Sequence, residues 1–284
     1  MKLNLTKSSL IISTVALLIS GCGQSSKVQD KKGTTSDGKE AIVEVEVFDA
    51  MKIKDQIIEV INTSPKATEV ADFLNQAGAS YILDVTVPID DVEKFMTKTQ
   101  MGIGLGMYAF DLFYAKVFNR SDMVLKTSEL EEQLLEKLGL ENEFASSANY
   151  RQRLQDNAEN KDSIDALVNE MMNFAHQRFS TSDQPDTYAL SFIGANIEAL
   201  YILSQVTEFA RNNKPLIEFL GKQDERAKSV FSLLEMMSGD ENVKPYYEKM
   251  KSIAAYFEEH PEFTEKELAE ISPMIESFRN EIFK

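Results

Sequence analysis

The stretch that decides the fold of this chain is IGLGMYAFDLFYAKVF, residues 103–118, whose apolar side chains occupy almost every face of a helix. A second stretch with the same character is ALSFIGANIEALYILSQV, residues 189–206. A helix that is apolar all round must be covered on all sides by other parts of the protein. Both segments are therefore predicted to be central helices with other helices packed around them.

Three glycines, Gly102, Gly104 and Gly106, stand at the start of the first stretch. A dinucleotide-binding loop would need the third glycine one residue later, a strand before it and a helix that begins at it. Gly102 and Gly106 instead lie four residues apart on one helix face, which favours a close helix contact or a kink. We therefore expect these glycines to serve helix packing and not phosphate binding.

Each central segment contains one acid, and an offset of 87 residues aligns Asp111 with Glu198 and Tyr114 with Tyr201. The alignment suggests a two-fold pseudo-repeat around 89–140 and 186–237. Within each segment the acid and the tyrosine are three residues apart and share a helix face.

A carboxylate in apolar surroundings costs several kcal/mol unless it is paired or hydrogen-bonded. Two interpretations stay open for Asp111 and Glu198. They either bond to core groups, or they project into a shared polar cavity with a raised pKa. In the second case they are the catalytic candidates, and the ligand-binding candidates are Tyr108, Asp111, Tyr114, Glu198 and Tyr201.

Nearly all of the chain between residues 40 and 284 has the period of amphipathic helices. The predicted helices span residues 49–62, 66–76, 89–119, 121–138, 147–157, 162–179, 186–211, 225–237, 243–259 and 264–283. The outer faces of the helix at 121–138 are predicted to carry Ser128, Glu129, Glu131 and Glu132. Short polar loops between such helices favour antiparallel packing. The sequence thus predicts a single all-α domain of about ten helices, either a multi-helix bundle or an α-solenoid-like array of antiparallel hairpins.

Helix starts and short extended segments complete the prediction. Asp162, Asp186 and Thr264 are plausible N-caps, and Glu267 stands three residues after Thr264 as in a capping box. Minor extended segments are expected near residues 41–48 and 81–87, although the first also fits the start of a helix.

The first 22 residues have the features of a bacterial lipoprotein export signal. Lys2 and Lys7 precede a short apolar run that ends in ISGC at residues 19–22, and Cys22 is the only cysteine of the chain. The resemblance to the lipobox implies cleavage before Cys22 and acylation of its thiol, so residues 1–21 are predicted to be a signal peptide. The polar residues that follow, up to residue 39, predict a flexible tether. Residue 23 is glycine and not aspartate, and no acidic run follows it. By resemblance to lipoprotein sorting rules, an outer-membrane location that faces the periplasm is favoured if the cell has two membranes.

The charge of the chain excludes some partners. Its net charge is −16, with 30 basic against 46 acidic residues. Such a field repels nucleic acid, which is therefore not an expected partner. The expected partners are the membrane, through the acyl chains on Cys22, and an envelope protein or a small apolar ligand. No cofactor or metal is expected, because His176 and His260 are the only histidines and neither belongs to a Glu-x-x-His pair.

Two segments carry a resemblance to known proteins. The stretch GLGMYAFDLFYAKVFNRSDMVLKTSELEEQLLEKLGL (104–140) and the later GANIEALYILSQ (194–205) resemble a group of uncharacterised all-helical bacterial lipoproteins. The resemblance implies the same fold and the same envelope address, but no activity.

These features predict a non-enzymatic, lipid-anchored envelope protein that binds a partner or a ligand between its helices. The alternative is an enzyme, or a metal or small-ligand binder, that uses Asp111 and Glu198. A purely structural spacer, the third class, would have no pocket and no apolar groove.

Overall fold

The computed structural model of the protein describes residues 44–141, 144, 149–210 and 213–284. Its α-helices are α1 (Glu44–Thr63), α2 (Thr68–Gln76), α3 (Lys98–Val117), α4 (Ser121–Lys137), α5 (Tyr150–Asp156), α6 (Lys161–Thr181), α7 (Pro185–Phe209), α8 (Lys214–Gly221), α9 (Asp224–Met236), α10 (Lys244–Glu259) and α11 (Glu265–Glu281). No strand occurs in this described part, so the prediction of an all-α bundle is confirmed. The predicted signal peptide, Cys22 and the tether lie outside the described residues.

The chain between α2 and α3 differs from the prediction. Two short 3₁₀ helices, Leu83–Val85 and Ile89–Lys94, connect the two helices. The first interrupts the predicted extended segment at 81–87, which is therefore not a strand. The described part of the other predicted extended segment, residues 44–48, belongs to α1.

The predicted helix at 89–119 is also divided, because α3 begins only after Thr97. The Thr97 side chain accepts a hydrogen bond from the Gln100 backbone N–H at 3.1 Å. The Gln100 side chain accepts one from the Thr97 backbone in return, at 3.0 Å. This capping box fixes the start of α3 independently of the 3₁₀ helix before it.

The centre of the fold is the contact between α3 and α7, which pack together more extensively than any other pair of described helices. A methyl group at Gly106 would lie 1.8 Å from the Ser191 carbonyl oxygen, and one at Gly194 would lie 1.9 Å from that of Ile103. The two backbones therefore meet at a distance that only glycine allows. The close helix contact expected at Gly106 is present, and Gly194 forms its other side.

The remaining helices surround this pair. Helix α4 packs on α3, α11 packs on α7, and α9, α10 and α11 pack on one another in sequence. Among the described helices, α7 alone is long and apolar enough to cross a membrane, but most of it is buried inside the protein. Burial by neighbouring helices accounts for its composition, as expected for a central helix.

Of the three predicted N-caps, one is present in the structure. The capping box of Thr264 and Glu267 is confirmed. The other two predicted caps are wrong: the Asn160 side chain caps α6, and α7 begins directly at Pro185. The short helix α8 was not predicted.

The predicted pseudo-repeat stays a prediction. Helices α3 and α7 begin at Lys98 and Pro185, 87 residues apart as the alignment requires. The single helix α4 follows α3, however, whereas the shorter helices α8 and α9 follow α7.

Candidate functional site

The two predicted acids belong to one buried polar cluster. Asp111 on α3 is 3% exposed, and Glu198 on α7 is fully buried. Arg279 on α11 donates from Nε and Nη2 to the two carboxylate oxygens of Glu198, both at 2.8 Å. This bidentate geometry is the strongest form of arginine–carboxylate pairing.

Asp111 has a weaker set of partners than Glu198. Its Oδ2 accepts a hydrogen bond of 2.9 Å from the Val87 backbone N–H, and its Oδ1 has no hydrogen-bond partner among the described residues. Burial raises the pKa of Asp111 well above its usual range, and the neighbouring charge of Glu198 raises it further. Burial also raises the pKa of Glu198, but there Arg279 opposes the rise.

The three candidate tyrosines have different roles. The Arg279 guanidinium lies 4.1 Å from the centre of the Tyr201 ring. The Tyr114 hydroxyl accepts a hydrogen bond of 3.1 Å from the Ile82 backbone N–H. The buried Tyr108 hydroxyl has no hydrogen-bond partner in the described part of the chain. Burial raises its pKa, and the charges of Asp111, Asp91 and Glu198 add to the rise.

The cluster connects four parts of the fold: α3, α7, α11 and the loop before α3. Both carboxylates bond to groups that hold these parts together, which is the first of the two interpretations left open by the sequence. Arg279 was not predicted. A buried acid does require a cation or donors, but the sequence does not indicate which of 30 basic residues supplies them.

A separate cavity of about 500 Å³ opens between α3, α4, α5 and α6. None of the candidate ligand-binding residues given above lines it. Its wall is mainly apolar, formed by Leu105, Ala109, Leu112, Leu135, Phe144, Tyr150, Met171, Met172, Phe174, Ala175 and Phe179.

Glu131 on α4 lines this cavity. The prediction that it lies on an outer face of the helix is therefore wrong. Glu131 is only partly exposed, and it has no hydrogen bond or ion pair with any described residue. Burial raises the pKa of its carboxyl to about 8, with a further contribution from the neighbouring Glu132. Ser128, also predicted on an outer face, is 3% exposed, whereas Glu129 and Glu132 are exposed as expected.

A shallower cavity of about 400 Å³ lies between α10 and α11, lined by Glu248, Lys249, Ser252, Pro273, Met274 and Ser277. The described residues contain no group of three or more His, Cys, Asp or Glu side chains that could hold a metal ion.

No protein family model matches this chain, and no curated protein or solved structure is significantly similar to it. The cavity and the polar cluster are therefore the features of the described chain that bear on its function.

Proposed function

We propose that this protein is a lipid-anchored component of a bacterial cell envelope whose helical body binds a small apolar ligand. The observation that supports the binding role is the apolar cavity between α3, α4, α5 and α6. Cavities of this volume with mainly apolar walls are typical of small-molecule sites. Met171 and Met172 in the wall have flexible, polarizable side chains that adapt to an irregular ligand.

The cavity favours binding over catalysis. Its described lining contains neither histidine nor cysteine, and its charged side chains are glutamates and one arginine. The central acids also lie away from this cavity, and Arg279 already engages both oxygens of Glu198. The enzyme alternative retains support from two buried atoms that have no hydrogen-bond partner among the described residues, Asp111 Oδ1 and the Tyr108 hydroxyl.

The proposed anchor depends on Cys22 and the lipobox before it. The Cys22→Ser variant should lose incorporation of an alkyne-tagged fatty acid and move from the membrane fraction to the soluble fraction. The unchanged chain, expressed in the same cells, is the control. Persistent labelling of Cys22→Ser would refute acylation at this residue.

The proposed binding role is tested with the mature chain carrying Cys22→Ser, because this form needs no detergent that could occupy the cavity. The neutral probe N-phenyl-1-naphthylamine should bind and increase in fluorescence. Ala175→Phe places a ring in the cavity and should weaken binding about tenfold or more, since a filled cavity excludes the probe.

The matched control is Ala255→Phe, which adds the same ring to an exposed position on α10. It should leave probe binding unchanged. Circular dichroism spectra that match the parent spectrum are required to establish that both variants fold. If the probe does not bind, or if Ala175→Phe binds as well as Ala255→Phe, the cavity is not the ligand site.

A further inference from the structure

Among the described residues that line the cavity, the charged side chains are confined to one part of its wall. Glu131, Glu132 and Glu136 come from α4, Glu141 follows that helix, and Arg151 comes from α5. Arg151 already pairs with Glu132, with Nη1 3.3 Å from Oε2. The linings from α3, α6 and α7 contain no charged side chain.

This distribution favours an elongated ligand with two different ends. An apolar body would contact the leucine, phenylalanine and methionine side chains of α3 and α6. A polar group at one end would face α4. The cavity therefore has the polarity of an amphiphile site and not that of a uniformly apolar void.

Glu131 determines the sign of that polar group. Its carboxyl lacks any ion pair or hydrogen bond to the described residues, while it lies against an apolar cavity. An unpaired carboxylate in such a place is costly, and a cation beside it removes most of the cost. A carboxylate, sulfate or phosphate would instead add a like charge beside Glu131, Glu132 and Glu136.

We propose that the ligand is a cationic amphiphile, an alkyl chain with one ammonium group, and that Glu131 binds the ammonium. This proposal rests on the apolar-ligand function proposed above and names the class of ligand. We expect the same charges to disfavour fatty acids and anionic lipids.

A dependence of affinity on pH follows, because only the ionised carboxylate attracts the cation. Burial raises the pKa of Glu131 to about 8, so the fraction ionised rises steeply between pH 6 and pH 9. The other titratable and charged residues that line the cavity in the described part of the chain are Glu132 and Glu136 on α4, Glu141 after it, and Tyr150 and Arg151 on α5. The affinity for a permanently charged ammonium should rise about tenfold or more over this range.

The test compares three probes with the same chain: decyltrimethylammonium, decyl sulfate and 1-decanol. Binding to the Cys22→Ser mature chain is measured by calorimetry below the micelle concentration of each probe. The ammonium should bind about tenfold or more tightly than the sulfate at pH 8, and decanol should show no pH dependence.

Two matched variants isolate the carboxylate. Glu131→Gln keeps the shape of the side chain and should reduce the affinity for the ammonium to that for decanol. Glu129→Gln removes an exposed charge from the same helix and should change nothing. Far-UV circular dichroism spectra that match the spectrum of the parent chain would establish that both variants fold.

The possible outcomes separate the two proposals. If decanol binds but the ammonium has no advantage over the sulfate, or keeps its advantage in Glu131→Gln, the ligand class is wrong and the apolar site remains. If none of the three probes binds, the proposed function is wrong, and the proposed ligand class is then also wrong.

Discussion

Replacement of Arg279 by methionine should be among the most destabilising single changes in this protein. The substitution leaves the fully buried Glu198 carboxylate without the two 2.8 Å hydrogen bonds that now satisfy it. It also removes the guanidinium from the face of Tyr201. Removal of one partner from a buried ion pair costs about 3–5 kcal/mol, because the remaining charge has neither solvent nor a counter-ion.

The assay is urea unfolding of the Cys22→Ser mature chain, followed by circular dichroism. With a slope of about 2–3 kcal/mol per molar urea, the loss should lower the midpoint by about 1–2 M. The second change in Glu198→Met/Arg279→Met removes the stranded charge and should restore most of the lost stability.

The surface pair of Arg153 and Glu170 provides a matched control. It has the same bidentate geometry, with hydrogen bonds of 2.9 and 2.8 Å, but the Arg153 and Glu170 side chains are 41% and 49% exposed. Because water solvates the remaining glutamate there, Arg153→Met should shift the midpoint far less than Arg279→Met.

The pH dependence gives the same prediction an independent test. In Arg279→Met the guanidinium no longer opposes the rise that burial causes in the pKa of Glu198, so this pKa should be higher than in the parent chain. The pKa of Asp111 should also rise, because Arg279 lowers it in the parent chain. A carboxyl whose folded pKa is raised favours the folded state below that pKa and opposes it as pH rises. The deficit of Arg279→Met should therefore be smaller at pH 5 than at pH 8. A deficit that is equal at both pH values, or no recovery in the double variant, would refute the reasoning.

Two further predictions concern the helix contact and the cavity carboxyl. Gly106→Ala should destabilise the protein by about 3 kcal/mol or more in urea unfolding, because its methyl group would overlap the Ser191 carbonyl. The control Gly239→Ala, which has open space around it, should have little effect, and equal effects of the two variants would contradict the close contact. Glu131→Gln should gain stability relative to the parent chain as pH rises from 5 to 9, reaching about 1–3 kcal/mol, because ionisation of a carboxyl with a pKa near 8 opposes folding only in the parent. Glu129→Gln should show no such trend, and a flat difference for Glu131→Gln would mean that its carboxyl is fully solvated.

The sequence is sufficient to predict the central pair of helices, because their composition leaves no face for solvent. It also identifies Gly106 as a point of close approach. It does not reveal Gly194 as the opposite side, since that requires knowledge of which helix crosses α3 and at what height. Local patterns describe each helix separately, whereas a crossing depends on two helices together.

The start of α3 shows a different limit. The hydrophobic period continues from Ile89 into α3, so the sequence pattern predicts a single long helix over residues 89–119. The 3₁₀ helix Ile89–Lys94 and the Thr97 capping box divide it. The Thr97–Gln100 pair is present in the sequence, and such a capping pair marks the start of a helix even where the apolar pattern continues through it.

Glu131 shows why a ligand cavity is difficult to find from helical periodicity. On an amphipathic helix that method separates a core face from a solvent face, and it assigns the glutamates to the solvent face. Helix α4 has a third environment, because Ser128, Glu131 and Leu135 follow one another at spacings of three and four along the cavity wall. A stripe that mixes a hydroxyl, a carboxyl and a leucine fits neither core nor surface. Such a stripe is the expected composition of a wall that faces an amphiphile, since an apolar body and a charged end must both be accommodated along the same helix.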